Sequence, residues 1–304
     1  MIAVEAQPYD VVVIGGGAAG LSAALVLGRA RRRVAVIDAG APRNAPAAHM
    51  HGFLSRDGMP PSELLRAGRA EVSRYGVDLI DDQVATIEPG FVVRLAVKEL
   101  RTRRILIATG AHDVLPTLPG VQERWGRDLL HCPYCHGWEV RDQPLGVLGT
   151  IPGSVDHALL VRQWSADVIF FAHTYPLTAG ELDQLEARDI QVVRGEVTRL
   201  VVDSDQLSGV ELADGCVIER NAVFVRPDIT SHPDGPFTAL GCTVDDKGFL
   251  VVDSTGRTSN PGVWAAGNAS DPRAQVITAA GAGSAAAIAI NADLVRDDVA
   301  QGLR

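Results

Sequence analysis

A chain of 304 residues most often divides into two domains, and its 46% apolar and 21% charged residues exclude wholesale disorder. The formal charge of −9 disfavours a nucleic-acid binder, which needs a concentrated basic surface; the short run Arg31 to Arg33 reads as a solvated entry to an apolar strand. No secretion signal is legible, and the alanine-rich stretch from Ala279 to Ala292, interrupted by Gly281 and Gly283, is shorter than a bilayer crossing needs, so a cytoplasmic protein without membrane association is expected.

Tyr9-Asp10-Val11-Val12-Val13-Ile14 has the near-continuous apolar pattern of a buried strand. It runs into Gly15-Gly16-Gly17-Ala18-Ala19-Gly20, a helical run to about Leu27, a strand from Val34 to Ile37, and then Asp38. Strand, glycine turn, helix, strand and acid in that order form a dinucleotide-binding unit. Gly15 permits the turn, Gly17 gives backbone access to a pyrophosphate, and Gly20 lets helix and strand pack closely. The free amides at the helix start attract the phosphates, and Asp38 can accept hydrogen bonds from a ribose. FAD and NAD sites share this motif.

Arg104-Ile105-Leu106-Ile107-Ala108-Thr109-Gly110 reads as a strand ending in a small-residue turn. His131-Cys132-Pro133-Tyr134-Cys135-His136-Gly137-Trp138 is the sharpest local signal. Two thiols separated by two residues can close a disulfide, and local N–H groups or cations can stabilise one thiolate. Zinc binding by both cysteines with His131 and His136 is the alternative, but these ligands crowd into six residues, whereas zinc sites gather theirs from two segments. No metal is expected. Cys216 and Cys242 have no local partner and read as structural or incidental thiols.

Leu145-Gly146-Val147-Leu148-Gly149 opens a second strand-turn-helix unit, with a helix from about Ser154 through Trp164 and a strand from Asp167 to His173. Alternating segments from Val192 to Val202 and from Val210 to Val225, around Asp214-Gly215, predict strands and a hairpin. In this second turn Ile151 stands where pyrophosphate access calls for glycine, and Pro152 removes a donor. Ser154 can preserve close packing and cap the helix. The strand that follows ends in His173-Thr174-Tyr175-Pro176, without an acid for an NAD ribose or arginines for a 2′-phosphate. Near the C-terminus, Gly262-Val263-Trp264-Ala265-Ala266-Gly267-Asn268 repeats the strand-and-small-turn character.

Together these segments resemble the two-dinucleotide disulfide oxidoreductase flavoproteins, in particular the low-molecular-weight thioredoxin reductase-like group, over nearly the whole chain. The resemblance implies an α/β protein of two Rossmann-like dinucleotide-binding domains. One, residues 1–115 and 236–304, would bind FAD; the other, residues 116–235, would be an inserted nicotinamide-type domain carrying the two cysteines. Gly15, Gly17, Ala18, Ala19 and Gly20 correspond to the FAD pyrophosphate turn, Asp38 to the ribose ligand, and Thr109 and Gly110 to the closing turn. Gly267 matches the glycine of a glycine-aspartate pair whose acid is Asn268 here. Gln275 falls where a glutamine lies near the flavin, with Ala274 in place of the usual arginine. A helix from about Val276 would aim its N-terminal amides at the flavin. His49-Met50-His51-Gly52-Phe53 has the polar and aromatic character to wall the cofactor; an ordinary loop is the alternative.

By the same resemblance Cys135 is the sulfur facing the flavin and Cys132 the outward thiol that exchanges with substrate. His136 stands where the group's reductases have an aspartate that moves protons, and imidazole can do the same near neutral pH. His131 is a second candidate for that centre, and Tyr134 and Trp138 either shape the substrate pocket or fill a seam. With its nicotinamide turn altered and the group's arginine-rich motif absent, the chain is most similar in pattern to the dithiol oxidases of the gliotoxin and holomycin type. The expected function is therefore FAD-dependent oxidation of a small-molecule dithiol, with molecular oxygen as the final acceptor. The alternatives are an NADPH-dependent disulfide reductase with a thioredoxin-like partner, and a flavin-bound redox sensor or interaction protein. A homodimer is the tendency of the group.

Overall fold

The computed structural model describes residues 7–231 and 238–303. The chain divides into two units. The first comprises Met1–Ala45, Met59–His112 and Ile229–Arg304, and the second Pro46–Gly58 and Asp113–Asp228. The sequence boundary at 235/236 lies outside the described residues.

In the first unit β1 (Tyr9–Ile14), α1 (Ala18–Arg29) and β2 (Val34–Asp38) form the opening crossover, with β1 and β2 parallel from Val11 opposite Val34 to Ile14 opposite Ile37. The helix runs past Leu27 to Arg29, and Asp38 closes the strand instead of following it. After α2 (Pro61–Ser73), β3 (Asp78–Asp81) adds outside β2. The hairpin strands β4 (Thr86–Glu88) and β5 (Val92–Arg94) lead to the long β6 (Glu99–Ile107). The first residues of β6 pair antiparallel with β5, while its apolar second half lies parallel between β1 and the strand Val263–Ala265. Val11 and Val13 of β1 pack into one core and Val12 and Ile14 into another, so both faces of the sheet are covered. That is why β1 reads as a continuous apolar run rather than an alternating one.

One expectation is corrected here. The alanine-rich stretch lies within a C-terminal helix that starts at Val276, as expected, but runs for 27 residues to Gly302 and is therefore not too short: by length and composition alone it is long and apolar enough to cross a membrane. Gly283 packs so tightly on α1 that a Cβ there would lie 2.0 Å from the Ala19 carbonyl oxygen, so the glycine serves helix contact. Near its end Asp293 pairs with Arg104 at 2.7 Å, and Asp297 and Asp298 pair with Arg103 at 2.9 and 2.6 Å. The helix is thus fastened to α1 and β6 by packing and by charge.

The second unit is built on a five-stranded parallel sheet in the order Gln191–Val193, Val168–Phe171, Leu145–Leu148, Ala222–Val225, Leu129–Leu130. A three-stranded antiparallel sheet, Val197–Asp203, Gln206–Leu212 and Val217–Glu219, carries the expected hairpin around Asp214 and Gly215. Its helices are α3 (Val121–Arg124), α4 (Pro133–His136), α5 (Ser154–Val161) and α6 (Ala179–Glu186); α5 stops short of Trp164. Phe170, Phe171 and Phe224 are fully buried and divide between the two cores of the unit. Residues 46–58 group with this unit rather than with the first. Pro46 sits against Gly126, and His51 pairs with Glu139 at 3.4 Å.

Candidate redox site and dinucleotide turns

The register of the first unit places Ile14, Ile37, Ile107 and Ala265 side by side, so the turns that follow β1, β6 and Val263–Ala265 share one edge of the sheet. This is the edge at which open α/β sheets bind ligands. Gly15 has φ of +108°, and a Cβ there would lie 2.2 Å from the Ala108 oxygen; one on Gly20 would lie 1.9 Å from the Gly15 oxygen. These two glycines are required by the fold itself. Gly17 is different, because a Cβ there would meet nothing within 4 Å.

Gly17 is the N-cap of α1 and makes no side-chain cap, and no acid occupies the first turn of the helix. The amide donors of Ala18, Ala19 and Gly20 therefore lack a side-chain acceptor at the cap, beside open space, which fits a pyrophosphate. Asp38 lies against Gly16 and has an ion-pair partner the sequence did not suggest, Arg69 at 3.6 Å. Thr109 and Gly110 follow β6, and Gly267 (φ of +69°) comes close to Ala19. Asn268 donates from Nδ2 to the carbonyls of Asp271 at 2.9 Å and Ala274 at 3.0 Å, and its Oδ1 accepts from Arg43 at 3.2 Å. An aspartate could not donate to those two carbonyls, which gives the departure from the family pattern a physical basis. Gln275 is the N-cap of the C-terminal helix and makes no side-chain cap.

In the second unit Cys132 and Cys135 are joined by a disulfide, with Cα atoms 5.2 Å apart. Cys132 is the N-cap of α4, and its carbonyl accepts from the amides of Cys135 at 3.0 Å and His136 at 3.1 Å. Pro133 takes the first helical position, where its missing N–H is no loss. Among the described residues no group of three or more His, Cys, Asp or Glu could hold a metal ion.

His136 follows directly. Both its ring nitrogens are buried and neither has a hydrogen-bond partner among the described residues. Burial lowers its pKa; the Glu139 carboxylate opposes that shift, and His51 and His49 reinforce it. The ring is thus a neutral base near pH 7. His51 bridges two carboxylates, Asp57 and Glu139, each at 3.4 Å. The segment His49 to Phe53, expected to wall the cofactor or to be an ordinary loop, supplies the two histidines that reinforce the downward shift of His136. Tyr134 and Trp138 remain 63% and 65% exposed; Tyr134 meets Trp164 edge-on and Arg141 lies 4.0 Å over Trp138. Sequence reasoning missed His157, which is 7% exposed on α5 and bonds through Nε2 to the His131 carbonyl at 2.7 Å. Its position three residues after Ser154, on the inner face of an apolar helix, was the available signal.

The second glycine turn is closed from within. Ser154 is fully buried; its Oγ accepts from the amides of Thr150 and Ile151, both at 3.3 Å, and donates to the Ile151 carbonyl at 2.7 Å. Arg226 donates to the Gly153 carbonyl at 3.3 Å. At the end of the next strand His173 Nδ1 accepts from the Val197 amide at 3.0 Å. Glu181 is engaged by Thr178 and Tyr175 in capping α6. Several polar groups of this turn, the Thr150 and Ile151 amides and the Gly153 carbonyl, are thus engaged by the protein itself.

A family model described as pyridine nucleotide-disulphide oxidoreductase matches residues 9–284. The crystal structure of HlmI superposes with a TM-score of 0.95 at 58% identity, covering 98% of this chain and 96% of the other. A probable thioredoxin reductase of Arthroderma benhamiae is 31% identical over 95% of this chain and 81% of its own. Thioredoxin reductase sirT of Leptosphaeria maculans is 31% identical over 96% of both.

Proposed function

The chain belongs to the pyridine nucleotide-disulphide oxidoreductase family, and we propose that within it the protein works as an FAD-dependent dithiol oxidase. Its substrate is a compact small-molecule dithiol and its final electron acceptor is molecular oxygen. The observation that carries this reading is the contrast between the two turns. At Gly17 a Cβ would meet nothing within 4 Å and no acid lies in the first turn of α1, whereas in the second turn Ser154 takes the Thr150 and Ile151 amides, Arg226 lies against Gly153 and Asp156 stands in the first turn of α5.

The residues that would hold FAD are Gly15, Gly17, Ala18, Ala19 and Gly20 at the pyrophosphate, Asp38 at the ribose, and Thr109, Gly110, Gly267, Asn268 and Gln275 around the flavin side. When bound, the flavin supplies two-electron acceptance from the enzyme dithiol and delivery of those electrons to oxygen as hydrogen peroxide. The chain's own residues do the rest. A substrate thiolate attacks Cys132, forming a mixed disulfide while the Cys132–Cys135 bond breaks and Cys135 leaves as thiolate. The second substrate thiol then attacks the substrate sulfur of that mixed disulfide, closing the product disulfide and releasing Cys132. His136, neutral and buried, takes the proton of the second substrate thiol as it attacks and returns it to a thiolate of the opened Cys132–Cys135 pair.

Two copies of the chain are proposed to associate, and a reducing cytoplasm suits Cys216 and Cys242, which form no disulfide. The test of the reaction is anaerobic stopped-flow reduction of the bound flavin by small dithiols, NADPH and NADH, followed by peroxide measurement on admitting oxygen. Dithiols should bleach the flavin faster than either nicotinamide. Fast saturable bleaching by NADPH with slow bleaching by dithiols would replace this reading with a reductase acting on a thioredoxin-like protein.

A further inference from the structure

Three residues connect the sheet of the second unit to the disulfide. Leu130 is held in the parallel sheet opposite Phe224. Cys132 is fixed by the two amides of α4 that its carbonyl accepts. His131 lies between them, and its carbonyl accepts the 2.7 Å bond from His157. A carbonyl only accepts, so this bond places a proton on Nε2. His157 is buried against Phe224, with its ring 5.9 Å from that of Phe224 and 5.9 Å from that of His131. Its Nδ1 is buried and has no partner among the described residues, so a second proton there would have no acceptor. The neighbouring His131 and Arg226 both disfavour a positive ring.

We propose that His157 is a positioning residue for the Cys132–Cys135 centre: its neutral Nε2–H pins the His131 carbonyl and thereby the backbone that presents Cys132 to an incoming thiol. Thiol–disulfide exchange requires the attacking sulfur to approach along the S–S axis, so freedom in the residue before Cys132 translates directly into lost alignment. The bond also ties α5, the helix that starts at the closed nucleotide turn, to the redox centre. The proposal rests on the dithiol reading only in taking exchange at Cys132 as the entry step.

The oxidised holoenzyme is mixed anaerobically with dithiothreitol, acid-quenched at intervals and alkylated, and opening of the Cys132–Cys135 peptide is read by mass. His157→Phe should slow the second-order opening rate by about 10- to 100-fold, and His157→Gln, which returns an N–H donor, should recover it to within about 3-fold. FAD content and near-ultraviolet circular dichroism identify variants that are folded. Folded His157→Phe opening at the wild-type rate, or His157→Gln as slow as His157→Phe, overturns the proposal. A second measurement needs no variant: side-chain nitrogen NMR of the wild type should show Nε2 protonated and Nδ1 bare between about pH 5 and pH 8. The opposite tautomer or a charged ring in that range overturns it as well. If NADPH proves the better electron donor, the oxidase reading fails while exchange with dithiothreitol still reports on His157.

Discussion

Ser154 donates its hydroxyl hydrogen to the carbonyl of Ile151, three residues before it, while accepting the amides of Ile151 and Thr150. The side chain thereby draws the Thr150 and Ile151 amides of the second turn into the protein's own hydrogen bonding. Ser154→Ala should leave those two half-buried amides without their acceptor, while the Ile151 carbonyl keeps the Ser154 amide at 3.1 Å, and lower stability by roughly 1–3 kcal/mol. Urea unfolding of the FAD-loaded protein measures this. An unchanged midpoint would mean that the turn is held by other contacts, Arg226 on Gly153 among them.

Gly17 makes the opposite case. Because a Cβ there meets nothing within 4 Å, Gly17→Val should fold normally yet fail to retain FAD, its branched side chain filling the space at the helix start. Gly20→Ala should instead damage folding, since its Cβ would collide with the Gly15 oxygen at 1.9 Å. The ratio of flavin to protein absorbance, read together with thermal unfolding, separates the two effects. A Gly17→Val protein that purifies with full flavin would remove this turn from the proposed cofactor site.

That contrast also marks how much was legible in the sequence. The opening unit could be read because its pattern is local: an apolar strand, glycines at fixed offsets and an acid at the end of the next strand. Ile151 announced the altered second turn for the same reason. The occupancy of its amides by Ser154 did not show, because a serine at a helix start reads equally as a cap or as a packing residue. His51 and Glu139 lie 88 residues apart and meet only through tertiary packing, so no spacing rule reveals them. Gly283 misled because glycine lowers helix propensity, whereas here close approach of the C-terminal helix to α1 requires it; Gly281 makes no such contact and is simply carried in the helix.

His136 yields a kinetic prediction with a defined sign. Burial lowers its pKa, so the ring stays a neutral base at pH values where an ordinary histidine is already charged. Flavin reduction by dithiol should therefore hold its rate as pH falls through the usual histidine range near about 6.5, once substrate thiol ionisation is corrected for. His136→Ala should keep FAD but lose roughly 10- to 1000-fold in that rate. Wild-type rates in the variant across neutral pH would return His136 to a packing role.

The exposed face of the C-terminal helix carries Ile288, Val295 and Val299, an apolar stripe at helical spacing. If two copies associate through it, Ile288→Glu with Val295→Glu should yield monomers in sedimentation equilibrium while FAD content is unchanged. Undiminished dimers in the double variant would place the interface elsewhere.

The buried imidazole of His157 should set part of the acid stability. Its pKa is pushed down to about 4, first by burial and then by His131 and Arg226, with the bond to the His131 carbonyl opposing. In the unfolded chain the same ring binds a proton near about pH 6.5. Above that value both states are neutral and the contribution is fully present. Between about 6.5 and about 4 the unfolded state holds more protons, so stability falls as pH falls, by about 1.4 kcal/mol per pH unit and roughly 3 kcal/mol in all. Below about 4 the folded protein binds the proton too and the loss is complete. His157→Phe removes the titrating group, so its stability, whatever its absolute value at pH 7, should depend less on pH across this window. Denaturant unfolding at half-unit pH steps measures both slopes, and parallel curves for the two proteins would show that His157 is not buried as a neutral ring.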